Sequence, residues 1–341
     1  MSFRLQDLAV PILGAPMAGG PSTPALAAAV SNAGGLGFVA AGYLTADKFA
    51  EIIGGARALT SAPIGVNLFV PGPSAATPDA LERYREQLAP LAEHYGAEIP
   101  QPHADDDAWQ AKLDVVADAA PEVASFTFGC PSPEVIARLR DRGVLVAVTV
   151  TSLDEAGVAV AAGADALVVQ GPEAGGHRGT FDPVARPGED PLDSLLAAIV
   201  AAHDLPVIAA GGLSSAADVR RVLDGGAAAA QAGTAFLLAD EAGTNAAHRG
   251  ALTDANFTET VVTRAFSGRY ARGLANNFTD RYDDVAPLGY PEVNQMTGPL
   301  RRAAVAAGDP HGTNLWAGTS WRQISAGSAA DIVAALAGDA G

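Results

Sequence analysis

Near the middle of the chain one histidine follows two glycines, in the run Gln170-Gly-Pro-Glu-Ala-Gly175-Gly176-His177-Arg-Gly179. An imidazole changes charge near neutral pH, so it can take a proton from an activated carbon or, once protonated, hold an anion. Gly175 and Gly176 open backbone paths closed to other residues and let a ligand lie against the main chain. Gln170 ends the apolar run 166–169, the pattern of a buried parallel strand with a polar tip. Its amide can hydrogen-bond a heterocycle, or it can satisfy the loop's own backbone. A lone loop histidine is most often a surface residue. The glycines and the strand before His177 favour a functional one.

Two further strand ends carry glycine, Gly211-Gly212 and Gly233-Thr234, and each leads towards a helix start. In eight-stranded α/β barrels the loops after the last two strands commonly hold a phosphate on backbone N–H groups and helix dipoles. No Gly-x-Gly-x-x-Gly run follows the first strand, which argues against a dinucleotide fold. A barrel with such a site most often takes a mononucleotide or a sugar phosphate, and flavin mononucleotide (FMN) fits best. The first loop, Ala15-Pro16-Met17-Ala18-Gly19, is then expected beside the flavin ring, with Met17 as a soft apolar surface or as simple core filling. Asn67, at another strand end, can bond the pyrimidine edge with Gln170, or cap a turn.

These residues need a scaffold that brings strand ends together. Strands are expected over 10–15, 36–40, 64–69, 123–128, 144–150, 166–170, 205–209 and 227–232, with helices between most of them at the period of βαβ units. Thr45 and Ser152 read as N-caps, Pro24 as a first helical residue and Gly163 as a C-cap. Eight strands in this alternation imply an α/β protein with a closed (β/α)8, or TIM, barrel. Residues 71–119 break the rhythm and are expected as a helical insertion above the barrel mouth. Residues 245–322 fit no βα period and read as a substrate-covering lobe, with a closing helix in 323–341. The FMN-binding barrel would then comprise 1–70 and 120–244.

The chain has 341 residues, 49% hydrophobic and 17% charged, ample for a sizeable core. A net charge of −17 excludes a nucleic-acid partner and disfavours anionic membrane surfaces. It does not exclude an anionic substrate, because a pocket's local field can oppose the net charge. No charged residue lies between Asp7 and Asp47, yet Pro11, Pro16, Pro21, Pro24 and Gly34-Gly35 cut that stretch into elements too short to span a membrane. One cysteine and no signal-like N-terminus point to the cytoplasm. No metal site is expected, and oligomeric state, monomer or homodimer, stays open.

Together, Pro-Ile-Leu-Gly-Ala-Pro-Met-Ala-Gly-Gly (11–20), the Gln170–Gly179 run, Ala210-Gly-Gly212 and Ala232-Gly-Thr234 resemble the nitronate monooxygenases, formerly called 2-nitropropane dioxygenases. Tyr290-Pro-x-x-Asn-x-Met-Thr-x-Pro-Leu-Arg301 and Leu315-Trp-Ala-Gly318 extend the resemblance into the lobe. It implies an FMN enzyme that oxidises alkyl nitronates, such as propionate 3-nitronate, with O2 to carbonyl compounds and nitrite through a flavin semiquinone. It implies His177 as catalytic base or substrate-positioning group. The same Glu-Ala-Gly-Gly-His motif occurs in flavin-dependent enoyl-thioester reductases and NADH:quinone reductases, so an NAD(P)H-dependent reductase is the alternative. A flavin-binding barrel without turnover ranks below both. Two positions depart from the family pattern. Thr127 stands where a histidine is common and Thr319 where a glutamine is common, which bears on substrate preference rather than flavin binding.

Other residues carry weaker signals. Cys130 has no local base partner and reads as a buried free thiol. His94, His103, His203, His248 and His311 lack metal spacing and are expected mostly at the surface. Asp105-Asp106-Asp107 reads as a solvated helix start. Tyr290 can line the substrate pocket or fill the lobe core. Of Arg264, Arg269 and Arg272, at least two are expected in surface pairs with carboxylates.

Overall fold

Eight short parallel strands, made almost wholly of buried residues, line the centre of the molecule: β1 (Ile12–Gly14), β2 (Gly37–Ala40), β3 (Ile64–Phe69), β4 (Val123–Thr127), β5 (Leu145–Val150), β6 (Ala166–Gln170), β8 (Val207–Ala210) and β9 (Ala229–Ala232). The computed structural model describes residues 3–338. The hydrogen-bonded order is β1-β9-β8-β6-β5-β4-β3-β2. A bridge between Leu13 and Leu36, with Gly14 N–H donating to Leu36 O at 3.0 Å, joins β1 to the approach of β2 and closes the barrel. Strands covered on both faces need apolar side chains throughout, which is why they read as short hydrophobic runs rather than alternating ones.

The barrel interior changes character along its axis. Its lower half is apolar, with Leu13, Phe38, Val123, Val168 and Ile208 packed together over Leu5. The layer at the carboxyl ends of the strands is polar: Asn67, Ser125, Thr149 and Gln231, each 9% exposed or less. That layer is the floor of the site.

Helices α1 (Pro24–Asn32), α2 (Ala46–Leu59), α4 (Trp109–Ala119), α5 (Pro133–Asp141), α6 (Leu153–Ala162), α7 (Leu192–Ala202) and α8 (Ala216–Asp224) follow the strands around the outside. Thr23, Thr45, Ser132, Ser152 and Ser215 cap five of them by accepting a backbone N–H. Gly163, at φ +92°, ends α6 in the left-handed conformation.

Two expected boundaries move. Within the segment 71–119, α4 packs on α2, α5 and β3, so it is the ring helix that follows β3. Only the polar run before it and α3 (Pro78–Tyr95) are inserted, and α3 packs on α11 (Glu292–Ala306) of the lobe. The closing helix α12 (Ala329–Ala337) lies between α8 and α1 and completes the ring, burying Ile332, Val333 and Leu336. It belongs to the barrel, and residues 339–341 of the expected 323–341 segment lie outside the described residues. The lobe is thus spliced between the last strand and the last helix.

Besides α11, the lobe holds α9 (Ala246–Thr253), α10 (Asn277–Tyr282), β10 (Thr260–Thr263) and β11 (Ala271–Leu274). Gly176–His177, expected as loop, is a short strand, β7, hydrogen-bonded to β11 in a sheet of order β10-β11-β7. The pairing matches Ala271 with His177, so the lobe holds the histidine by its backbone. Among the described residues no helix is long and apolar enough to cross a membrane.

Candidate active site

The ends of the barrel strands and the lobe enclose a cavity of about 640 Å³. Ala15, Pro16, Met17, Asn67, Gln170, Gly175, Gly176, His177, Gly211, Gly212, Gly233, Thr234 and Thr127 all line it. Strand ends from β1, β3, β4, β6, β8 and β9 therefore meet around one space, although their residues are far apart in sequence.

At one end the main chain does the work. Gly211 (φ +120°) and Gly212 (φ +69°) take backbone conformations that a side chain would strain. A Cβ on Gly212 would lie 2.9 Å from Glu173 Cβ, and one on Gly233 would lie 3.2 Å from Ala15 Cβ. Among the described residues nothing accepts a hydrogen bond from the amides of Gly211, Gly212, Gly233 or Thr234. Four unpaired N–H groups beside the cavity could hold an anion such as a phosphate. Thr234 also ties the lobe down, its Oγ1 accepting from Gly318 N–H at 2.9 Å. Thr319, expected on the substrate side, is exposed at this glycine end, where its N–H donates to Glu173 O at 3.0 Å.

At the floor, Asn67 Nδ2 donates to Ser125 O (3.2 Å), Ser125 Oγ (3.0 Å) and Thr127 Oγ1 (3.1 Å). Its Oδ1 has no protein donor among the described residues. Gln170 is committed to the histidine loop at both ends of its amide. Nε2 donates to His177 O at 3.0 Å and Oε1 accepts from Gly179 N–H at 2.8 Å.

At the other end His177 stands among aromatic rings. Its ring centroid is 5.6 Å from Phe128, 5.5 Å from Trp316 and 6.2 Å from Tyr290. Tyr290 thus packs on the histidine and on Phe128. Phe128 itself holds a positive φ of 77°, an unusual backbone state for a bulky residue just past the end of β4. His177 Nε2 lies 2.8 Å from Ser267 Oγ. The Arg269 guanidinium sits 4.1 Å above the Phe128 ring and bonds the Thr180 carbonyl. Arg301 lines the cavity and is held by Asn314 Oδ1 (3.0 Å) and Asn294 Oδ1 (2.7 Å).

Among the described residues neither Arg269 nor Arg301 has a carboxylate partner in ion-pair reach. The site therefore carries positive charge inside a strongly acidic protein. Burial, then the guanidinium groups of Arg269 and Arg301, push the His177 pKa down to about 3. In the free site the imidazole is thereby held neutral, the form from which a base can accept a proton.

Several expectations are corrected here. Among the described residues Arg264, Arg269 and Arg272 make no surface ion pairs. They are struts that bond the carbonyls of Ala286, Thr180 and Pro172. His248 is 5% exposed and lines the cavity, and burial pushes its pKa down to about 4. His94, His103 and His311 are exposed. Asp107 is no simple solvated charge: it pairs at 2.7 Å with the buried Lys112 and accepts from Tyr43 N–H at 3.1 Å. Burial raises the Cys130 thiol to about 11, away from thiolate chemistry. Ser267 was not singled out from the sequence, because it stands 90 residues from its partner in an unremarkable Ala-Phe-Ser-Gly-Arg run. The antiparallel pairing of β7 with β11, just after Ser267 in the chain, brings their segments together.

A family model described as Nitronate monooxygenase matches residues 3–339. A nitronate monooxygenase from Paraburkholderia phytofirmans is 42% identical over 336 residues, covering 96% of this chain and 91% of the relative. One from Pseudomonas aeruginosa is 41% identical, covering 92% of each. Among solved structures, the nitroalkane oxidase from Streptomyces ansochromogenes superposes with a TM-score of 0.93 at 47% identity, covering 98% of this chain and 96% of that one. FabK from Thermotoga maritima is similar at a TM-score of 0.75 and 27% identity, covering 97% and 93%.

Proposed function

We propose that this chain, which belongs to the nitronate monooxygenase family, uses its cavity to oxidise small alkyl nitronates with dioxygen to carbonyl compounds and nitrite, with FMN as cofactor. The observation that carries this reading is a neutral imidazole beside two guanidinium groups that lack carboxylate partners. A nitronate is an anion with its charge on two oxygens, and such a site has cations that no carboxylate of the protein balances.

The residues present fit FMN. The four unpaired amides at the glycine end suit its phosphate, and any side chain on Gly212 would collide there. Met17 offers a soft face beside Gly233, with Sδ 3.8 Å from where a Cβ would stand. Asn67 Oδ1 is free to accept from a ring N–H at the floor. When bound, FMN supplies the redox chemistry that links nitronate to dioxygen.

The protein's own contribution is binding and proton control. His177 takes a proton from the carbon of a neutral nitroalkane. Arg301, which lines the cavity, and Arg269, stacked on Phe128, then stabilise the charge that moves onto the nitro oxygens. Phe128 and Trp316 wall this space, with Tyr290 packed on Phe128, and electrostatic interactions there are strong. A preformed nitronate skips the first step. When the nitronate is formed in place, its negative charge raises the imidazole's proton affinity, which keeps the transferred proton on His177.

The deciding experiment is paired. The purified holoenzyme is mixed anaerobically with NADH and then NADPH while flavin absorbance is followed. Separately, propionate 3-nitronate is added in air while oxygen uptake and nitrite are measured. Nitrite without bleaching by either nicotinamide is the expected result. Rapid bleaching without nitrite would overturn the oxygenase reading in favour of a reductase.

A further inference from the structure

We propose that Ser267 is the positioning residue that fixes the tautomer of His177, holding the proton on Nε2 and leaving the Nδ1 lone pair as the base. The inference rests on the proton-abstracting role proposed above and adds the atom that performs it.

The assignment follows from counting protons around one hydroxyl. Ser267 is 1% exposed, so its Oγ must find its partners within the protein. Three groups reach it: the Arg269 carbonyl at 3.1 Å, the Arg269 N–H at 3.3 Å and His177 Nε2 at 2.8 Å. A serine hydroxyl has one proton to donate and two lone pairs that accept. The Arg269 carbonyl can only accept, and no other donor among the described residues reaches it, so it takes the hydroxyl proton. The Arg269 N–H uses one lone pair, and the second is left for an N–H on Nε2. A neutral imidazole has a single N–H. Nδ1 is then unprotonated, and it has no hydrogen-bond partner among the described residues.

The reverse arrangement loses on both sides. If Ser267 donated to Nε2, the Arg269 carbonyl would be left without a donor inside the protein, at the cost of an unmade buried hydrogen bond. Nδ1 would then carry a proton and could not remove one from a nitroalkane. The ring's place is also fixed from behind, by Gln170 Nε2 on the His177 carbonyl and by the β7–β11 pairing. Backbone contacts orient the histidine, and the hydroxyl alone chooses its tautomer.

The test reads the tautomer directly. Holoenzyme labelled with 15N-histidine is studied by nitrogen–proton correlation NMR, with His177→Asn used to assign the signal. The wild type is expected to show His177 as a single Nε2–H form. Ser267→Ala is expected to show both tautomers in exchange and to lose about tenfold in kcat on neutral nitroalkanes. Its kcat on preformed nitronates should change far less, because they need no proton removal. Ser267→Thr, which keeps the hydroxyl, should restore both the single form and the kcat. Retained FMN in each variant reports that the site is folded. An Nδ1–H form in the wild type, or an unchanged tautomer in a folded Ser267→Ala, would overturn the assignment. Absence of nitrite from the wild type would instead overturn the proposed reaction and leave the tautomer result standing.

Discussion

The two ends of the cavity are built on different principles. The glycine end presents backbone amides from turns that directly follow β8 and β9, and it works because side chains are missing. The histidine end presents side chains, His177 from β7 and Ser267, Arg269 and Arg301 from the lobe, and it works only when the lobe is docked. The first is local in sequence and tolerant of its surroundings. The second is assembled across long chain separations and depends on an interface. A fold of this kind can keep its cofactor grip while its substrate chemistry is altered by changes in the lobe.

His177→Asn is the severest way to break that contrast. It should leave FMN bound while turnover of neutral nitroalkanes falls by roughly 10²-fold or more. Stopped-flow measurement of proton abstraction checks it, and loss of flavin together with activity would show the ends to be coupled. Arg301→Leu should raise KM for nitronates by about tenfold or more with flavin occupancy intact, since it deletes a cation at the lobe end alone. Gly233→Val probes the opposite end. FMN affinity, read by fluorescence titration, should drop by about tenfold because the new side chain meets Ala15 and Met17.

Gly175→Ala strikes the seam between the halves. Its Cβ would lie 2.5 Å from the backbone of Ala317 and Gly318, so a loss of about 1–3 kcal/mol in stability is expected from urea unfolding. A smaller effect concerns pH. With the imidazole depressed to about 3, kcat/KM for neutral nitroalkanes should show no histidine limb between about pH 5 and 8. Arg301→Leu should move that limb upward, because one of the charges that disfavour protonation is gone. Least of all, Cys130→Ser should change neither flavin occupancy nor turnover by more than about twofold, given a thiol raised to about 11.

The same division governs what could be read without coordinates. All eight barrel strands were legible, because a strand buried on both faces leaves a short apolar run that its flanking glycines, prolines and helix caps delimit. The glycine cradle was legible for a related reason: unusual backbone demands glycine, and glycine is visible in a sequence. Ser267 and the true settings of Arg269 and His248 were not. Nothing in a serine or an arginine announces that it will be buried, and their partners lie far along the chain. The ring role of α12 was hidden too, since no strand directly precedes it and its apolar face is that of any amphipathic helix. The histidine was found by its glycines, yet its charge state needed the two guanidinium groups that only the folded lobe supplies.

The position of α12 has a consequence for the birth of the molecule. Ribosomes release the last barrel strand at Ala232, but the groove between α1 and α8 is filled only when Ile332 and its neighbours emerge, about a hundred residues later. At ordinary synthesis rates that interval is on the order of ten seconds. Through it, a nearly finished barrel carries an open greasy slot. The nascent chain therefore exposes that apolar surface until α12 arrives, and a chain cut short within the lobe would keep it exposed.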